Sequence, residues 1–383
     1  MSEDLPAAYG GTPIREDVLG YGSQSITDHE KAAVAEALDG DYITRGPTVD
    51  EFERRVAELV GVDHAIATTS GTTALHLTGD AAGFGPGDEV ITTPLTFAST
   101  AHAATYNDAT PVFADIDPHR RTLDPEAVRE QITDDTVGII PMHYAGHPAD
   151  IEGILDVADE HDLTVIWDAC HAFGGTWREE SLGAQRDMAM FSFHPVKNVT
   201  TGEGGMVVTD DDELAARLRR LRSFDMNYEP EGHDDEPWYQ VTEGLGYNYN
   251  VTDLQAALGL AQLDRLTKFK QRRDEIIDQY NAAFAEIEGV RTPPEPVGPT
   301  RCTTCMRSRS ARPSAVTAKR SSMRCTTRTS VSRSTTFRCT TTRTSRRRSA
   351  TSGGSSPRRR PSTMASSVCR YTPRWMTATL RMS

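Results

Sequence analysis

The chain has 383 residues, 37% of them apolar, enough for two or three domains around a sizeable core. No apolar run approaches the ~18 residues of a membrane span, and the start, MSEDLPAAYGG, lacks the basic and apolar stretches of a secretory signal, so a cytoplasmic location is expected. Charge is partitioned: residues 301–383 hold 20 Lys+Arg and no Asp or Glu, leaving residues 1–300 with 21 Lys+Arg against 55 Asp+Glu, a net of −34. So acidic a body stays solvated while repelling itself, which predicts a salt-loving source; an ordinary acidic enzyme is the alternative.

Residues 1–26 read as an N-terminal arm. Amphipathic runs then open at TDHEKAAVAEALDG and PTVDEFERRVAELVG, with Thr27 and Thr48 placed as helix caps. Seven short apolar runs follow: HAIATT, DEVITTP, TPVFADI, TVGIIPMHY, LTVIWDAC, MAMFSFH and GGMVVTD. Each is too short for a helix, and most are flanked by Gly, Pro or Asp. Helical patterns such as LDPEAVREQI and DIEGILDVADEHD separate most of them. This alternation predicts an α/β fold over residues 27–250, a mostly parallel sheet sandwiched by helices. From residue 251 to about 287 one long helical pattern leaves the sheet, and residues 251–300 would begin a small second domain.

Residues 301–383 change character. Ser and Thr make up 34 of these 83 residues, and five of the six cysteines fall here. One reading is a disordered basic tail that binds nucleic acid. The other is translation out of phase, because an acid-rich, GC-rich gene read in the wrong frame yields Thr, Ser and Arg codons. Back-translating residues 301–306 and starting each triplet on the third base permits L-Y-H-L-Y; residues 368–379 in the same frame permit L-P-L-H-P-A-L-D-D-G-D. Both strings look globular, which points to a frameshift near residue 300 and to loss of the small domain. Cys302 and Cys305, at CxxC spacing, would then not be a zinc site, and no metal is expected.

The chemistry-bearing residues fall at the ends of the predicted strands, where ligands bind in such sheets. In MFSFHPVKNVTTGEGG, Lys197 sits between an apolar run and a Ser/Thr/Gly turn, where an amine can form a Schiff base with an aldehyde cofactor; a surface lysine is the alternative. Ser70, Gly71 and Thr72 join a strand to a helix start and suit a phosphate, or are a plain helix cap. Asp168 ends a buried strand and needs a partner, either a cationic ring nitrogen or a salt bridge within the fold. Phe97 follows another strand and can stack on a flat ring or pack in the core. Asn248 lies in GLGYNYNVTD, free to donate to a phosphate or to serve a turn.

Taken in order, YITRGPTVDEFE, SGTTALHL, GPGDEVITTPLTFAST, HYAGHPADI, WDACHAFGG, FSFHPVKNVTTGEGGMVVTDD and GYNYNVTDLQAALG resemble the DegT/StrS-type sugar aminotransferases, through nearly all of residues 8–290. The resemblance implies the large domain of pyridoxal phosphate (PLP) fold type I. It implies that Lys197 carries PLP and shuttles protons, that Asp168 holds the ring nitrogen protonated, and that Phe97 stacks on the ring. Ser70, Gly71, Thr72 and Ser192 would bind the phosphate, His171 would lie near the cofactor, and Asn248 would reach into the site of a second copy in a homodimer. Relatives with histidine in place of the lysine are dehydratases, so Lys197 implies transamination, from glutamate to a nucleotide-linked keto sugar, for glycan or cell-surface synthesis. Neither a membrane nor a nucleic acid is an expected partner. Asn250 stands where Arg is frequent in the family, and Asp225 where Gly is frequent.

Overall fold

A computed structural model of the protein describes residues 17, 22–228, 238–287, 290–292 and 309–310. The chain divides into two compact units, Met1–Cys339 and Thr340–Ser383, and every described residue lies in the first. Of residues 301–383, therefore, only 309–310 are described; the readings of this stretch as disordered and out of phase, and Cys302 and Cys305, lie outside the described residues.

All seven apolar runs become strands of one sheet: β1 (His64–Thr68), β2 (Glu89–Thr92), β3 (Thr110–Phe113), β4 (Thr136–Ile140), β5 (Thr164–Asp168) and, after the small β6–β7 ladder (Thr176–Trp177, Glu180–Ser181), β8 (Met188–Ser192) and β9 (Gly205–Thr209). Their order is β1-β9-β8-β5-β4-β2-β3, and β9 alone runs against the others. The remaining strands all deliver their carboxyl ends to one edge. Two further ladders pair β10 (Met226–Asn227) with β11 (Val241–Thr242), and β12 (Val290–Arg291) with β13 (Arg309–Ser310).

The helices are α1 (Asp28–Leu38), α2 (Pro47–Val60), α3 (Gly71–Ala81), α4 (Ala98–Thr105), α5 (Pro125–Arg129), α6 (Ile151–His161), α7 (Asp212–Arg222), α8 (Asp253–Leu263) and α9 (Leu266–Ala285). They cover both faces of the sheet because the central strands are apolar on both. Ala189, Phe191, Met206 and Val208 meet Phe52 and Val56 of α2 and Ile154 of α6 in one core. Met188, Met190 and Val207 meet Leu75 and Leu77 of α3, Ala103 of α4 and Leu218 of α7 in the other. Alternation along each strand sends neighbours to opposite cores. No helix among the described residues is long and apolar enough to cross a membrane.

Two local expectations are corrected. Thr27 does cap α1, its backbone N–H and hydroxyl donating to Glu30. Thr48 does not cap α2: the N-cap is Gly46, and the oxygen a cap needs comes from Asp253 of α8, which accepts from Gly46 N–H (2.9 Å) and Thr48 N–H (3.1 Å). The long helix expected from residue 251 to 287 is two helices. It breaks at Asp264 and Arg265, where Gln262 and Arg265 turn their side chains to Glu30 and to the Ser25 carbonyl. α8 packs on α1 and α2, and α9 bonds back to the body through Lys270 and Arg273.

Candidate active site

The carboxyl edge of the sheet carries the expected residues. Thr68, Gly205 and Ser192 pair in one row across β1, β9 and β8. Just past this row Ser70 caps α3, its hydroxyl accepting from Thr73 N–H at 3.2 Å. Gly71 opens the helix against Ser192: a Cβ there would lie 2.8 Å from Ser192 Cβ. A Cβ on Gly205 would lie 2.3 Å from the Ser70 carbonyl oxygen. Two missing side chains thus let a helix N-terminus settle over β9 beside a serine hydroxyl, leaving N–H groups and hydroxyls for an anion. The Thr72 hydroxyl is 2.8 Å from that of Ser99 in α4.

Asp168 ends β5 and is 1% exposed. Its Oδ2 accepts from the Thr100 hydroxyl at 2.6 Å and its Oδ1 from Cys170 N–H at 3.1 Å. Among the described residues no cation pairs with it, so the internal salt bridge weighed from the sequence is not what it makes. A buried carboxylate in this state is suited to a cationic ring nitrogen. The neighbouring Cys170 thiol is pushed well above its usual range, by burial first and then by the Asp168 charge, with Lys197 opposing.

Lys197 is half-buried on the turn after β8. Its N–H donates to the His194 carbonyl at 2.9 Å. Asn198 ties the turn to Phe173 through a 2.7 Å bond to that residue's carbonyl, and Arg273 of α9 donates to the carbonyls of Lys197 (3.5 Å) and Asn198 (3.3 Å). The lysine backbone is thereby fixed. His171 Nδ1 accepts from Ala145 N–H at 3.2 Å, which puts the ring proton of the neutral form on Nε2.

Phe97 lies past the strand end, as the N-cap residue of α4, and is 56% exposed. It is therefore not packed in the core. Asn248 is exposed, held by a backbone bridge to Ser223 and accepting from Asn250 Nδ2 at 3.0 Å. The Ser223 hydroxyl donates to Asn250 Oδ1 at 2.7 Å, so Asn250 braces this segment. Asp225 has φ +51, the left-handed region that favours glycine; aspartate tolerates it, and Arg220 holds the carboxylate at 3.3 Å.

Sequence reasoning passed over Ser99, Thr100 and Gly205. The first two stand inside the quoted TPLTFAST, and their signal was a pair of hydroxyls two and three residues after the aromatic. Gly205 reads from sequence as an ordinary turn glycine.

The helix-start cradle, the cation-free carboxylate and the fixed lysine turn fit PLP, and the family match gives the class: a PLP-dependent aminotransferase. The chain belongs to the DegT/DnrJ/EryC1/StrS aminotransferase family, whose model matches residues 24–346. It is 43% identical over 285 residues to the spore coat polysaccharide biosynthesis protein SpsC of Bacillus subtilis, covering 73% of this chain and 72% of SpsC. Among solved structures it is similar to DesI, determined in the presence of its TDP-sugar product (37% identity, TM-score 0.67, 75% of this chain and 71% of that one). It is also similar to Helicobacter pylori PseC, an aminotransferase of pseudoaminic acid biosynthesis (30% identity, TM-score 0.68, 72% and 73%).

Proposed function

We propose that this protein transfers an amino group from glutamate to the keto group of a nucleotide-linked sugar, for synthesis of a glycan or cell-surface polysaccharide. The observation that carries the reading is Asp168, a buried carboxylate with no cation among the described residues, on the edge that also holds the Gly71–Ser192 contact and the Lys197 turn. The polysaccharide role of SpsC and the TDP-sugar product of DesI support the substrate class. Glutamate as donor rests on the family resemblance.

Bound PLP supplies an electron sink for charge developing on the substrate carbon. Asp168 keeps the proton on the ring nitrogen. With PLP bound, the Lys197 amine would hold it, and Nζ would then be the group that carries the proton needed for amino transfer. Gly71, Thr72 and Ser192 would hold the phosphate after the Ser70 cap, Phe97 would stack on the ring, and His171, three residues past Asp168, would lie near the cofactor. Asn248, exposed on its braced segment, donates to the phosphate held by a second copy in a homodimer.

The test is a panel of nucleotide ketosugars with glutamate, read as 2-oxoglutarate released. Turnover of at least one supports the reading; turnover of free keto acids alone would overturn the substrate class. We read residues 301–383 as an out-of-phase translation, which removes the domain that would close over the site and makes an inactive homologue the alternative outcome. Resequencing the locus decides this: DNA that confirms the present frame, together with the same basic tail in related genes, refutes it. The frame-restored chain belongs beside this one in the assay.

A further inference from the structure

The first turn of α4 touches three parts of the site at once. Phe97, its N-cap, is the exposed aromatic; the Ser99 hydroxyl is 2.8 Å from that of Thr72 in the cradle; the Thr100 hydroxyl is 2.6 Å from Asp168 Oδ2. Ser99 and Thr100 are both buried. We propose that Thr100 is a positioning residue that holds the shared proton on the cofactor's ring nitrogen by stabilising the charge on Asp168, while Ser99, one residue before it, sets the cradle. This rests on the proposed role of Asp168 as partner of that nitrogen.

The direction of the hydrogen bonds follows from counting hydrogens. A carboxylate has none to give, so Thr100 donates to Asp168. Its single hydrogen is then used, so in the 2.6 Å contact between Thr96 and Thr100 it is Thr96 that donates. The Met142 sulfur, 3.0 Å from Thr96 Oγ1, is a weak acceptor and competes poorly for that hydrogen. The result is a one-way relay, Thr96 to Thr100 to Asp168, in which each bond polarises the next.

The Asp168 carboxylate is buried, and the two hydrogen bonds donated to it stabilise its charge. If the carboxylate takes up the shared proton, the ring nitrogen loses it and the cofactor becomes a poorer electron sink. Cys170 N–H gives one donor at 3.1 Å, from main chain that no side-chain change removes. Thr100 gives the shorter one, and it is the side chain through which this balance is set. A hydrogen bond to a charged group is strong enough that deleting it moves the proton partition by roughly tenfold or more.

The experiment uses the full-length protein loaded with PLP carrying ¹⁵N in the ring, and reads the ring nitrogen's chemical shift together with cofactor affinity by equilibrium dialysis. The wild type and Thr100→Ser are expected to show a protonated nitrogen. Thr100→Val moves the signal toward the unprotonated position by roughly tenfold in partition, and Asp168→Asn moves it fully. Ser99→Ala is the packing control: it weakens affinity but leaves the ring signal in place. A Thr100→Val signal unchanged while that of Asp168→Asn moves overturns the proposal and leaves the reading of Asp168 standing. A protonated ring in Asp168→Asn overturns that reading as well. Movement in Ser99→Ala equal to that in Thr100→Val assigns the effect to packing and overturns the proposal. Should Thr100→Val fail to fold or to load, Thr96→Val is measured instead: a smaller shift in the same direction is expected, and none overturns it.

Discussion

Gly205 lies so close beneath Ser70 that a Cβ added to it would sit 2.3 Å from the Ser70 carbonyl oxygen and 2.8 Å from Gly71 N. These neighbours are main chain and can yield only if the start of α3 moves. Gly205→Ala is therefore expected to lose about 1–3 kcal/mol of stability in urea unfolding of the apo protein, the usual range for overpacking. It is also expected to weaken PLP binding, because the displaced turn is the proposed phosphate site. Gly40 is exposed and a Cβ there meets only ordinary contacts at 3.5 and 3.9 Å, so Gly40→Ala should stay within about 0.5 kcal/mol and bind PLP normally. Equal effects of the two substitutions would refute this account of the cradle.

Glu30 is fully buried between α1 and the start of α9, accepting from Gln262 Nε2 at 2.7 Å and paired with Arg265. Burial pushes its carboxyl up, but bonds from the Thr27 hydroxyl, Arg265 and the Thr27 backbone outweigh this and bring it down to about 2 from an ordinary 4.5. A depressed carboxyl stabilises the fold above its unfolded value. That contribution is complete above pH 4.5 and disappears as pH falls toward 2. Glu30→Gln should cost about 3 kcal/mol at pH 7, with the gap to wild type closing near pH 2. Urea melts across this range check it, and a gap independent of pH contradicts it.

His143 gives a second acid-sensitive contribution, in a different window. Its ring is buried flat against Trp167, with centroids 5.3 Å apart and planes at 8°, and its Nδ1 accepts from Ala149 N–H at 3.1 Å. Burial, with a lesser push from His147, lowers it from 6.5 to about 3. The unfolded chain takes up this proton below pH 6.5 and the folded one does not, so stability falls as pH drops from 6.5 toward 3, by about 1.4 kcal/mol per pH unit within the window. Between pH 6.5 and 4.5 this term acts while that of Glu30 is still whole. His143→Gln should flatten the stability profile there and leave the Glu30 step in place; an unchanged slope rules the assignment out.

The sheet was legible in the sequence because its strands are apolar on both faces, so β8 and β9 read as unbroken apolar runs with a Ser or Gly at the edge. Lys197, Asp168 and Phe97 were legible because each is odd for its place. What the sequence hid was supplied from far along the chain. The cap of α2 comes from Asp253, 205 residues beyond Thr48. The break between α8 and α9 is fixed by Glu30, 235 residues before Arg265. Thr100 is the subtler case: a threonine in a first helical turn looks ordinary, and only the sheet order that sets β2 and β5 on either side of β4 brings α4 to Asp168, 68 residues on.

Lys197 itself can be removed without removing the turn that carries it, because that turn is held by main-chain groups: its own N–H to His194, and its carbonyl to Arg273. Lys197→Ala is therefore expected to fold with an unfolding midpoint close to wild type. It should still take up PLP through the cradle and Asp168, but reversibly, so that borohydride no longer fixes the cofactor to protein; in the wild type it does, at Lys197, and the bound cofactor absorbs at roughly 400–430 nm. Loss of the amine proposed both to hold the cofactor and to move a proton should lower turnover by on the order of 10⁴ or more. The other described lysines are Lys31, Lys268 and Lys270; Lys31 is 3.0 Å from Asp28 and Lys270 donates to the Gly174 carbonyl. Mass spectrometry of the reduced variant locates any remaining adduct, and one on a different lysine would show that the site is built around another amine.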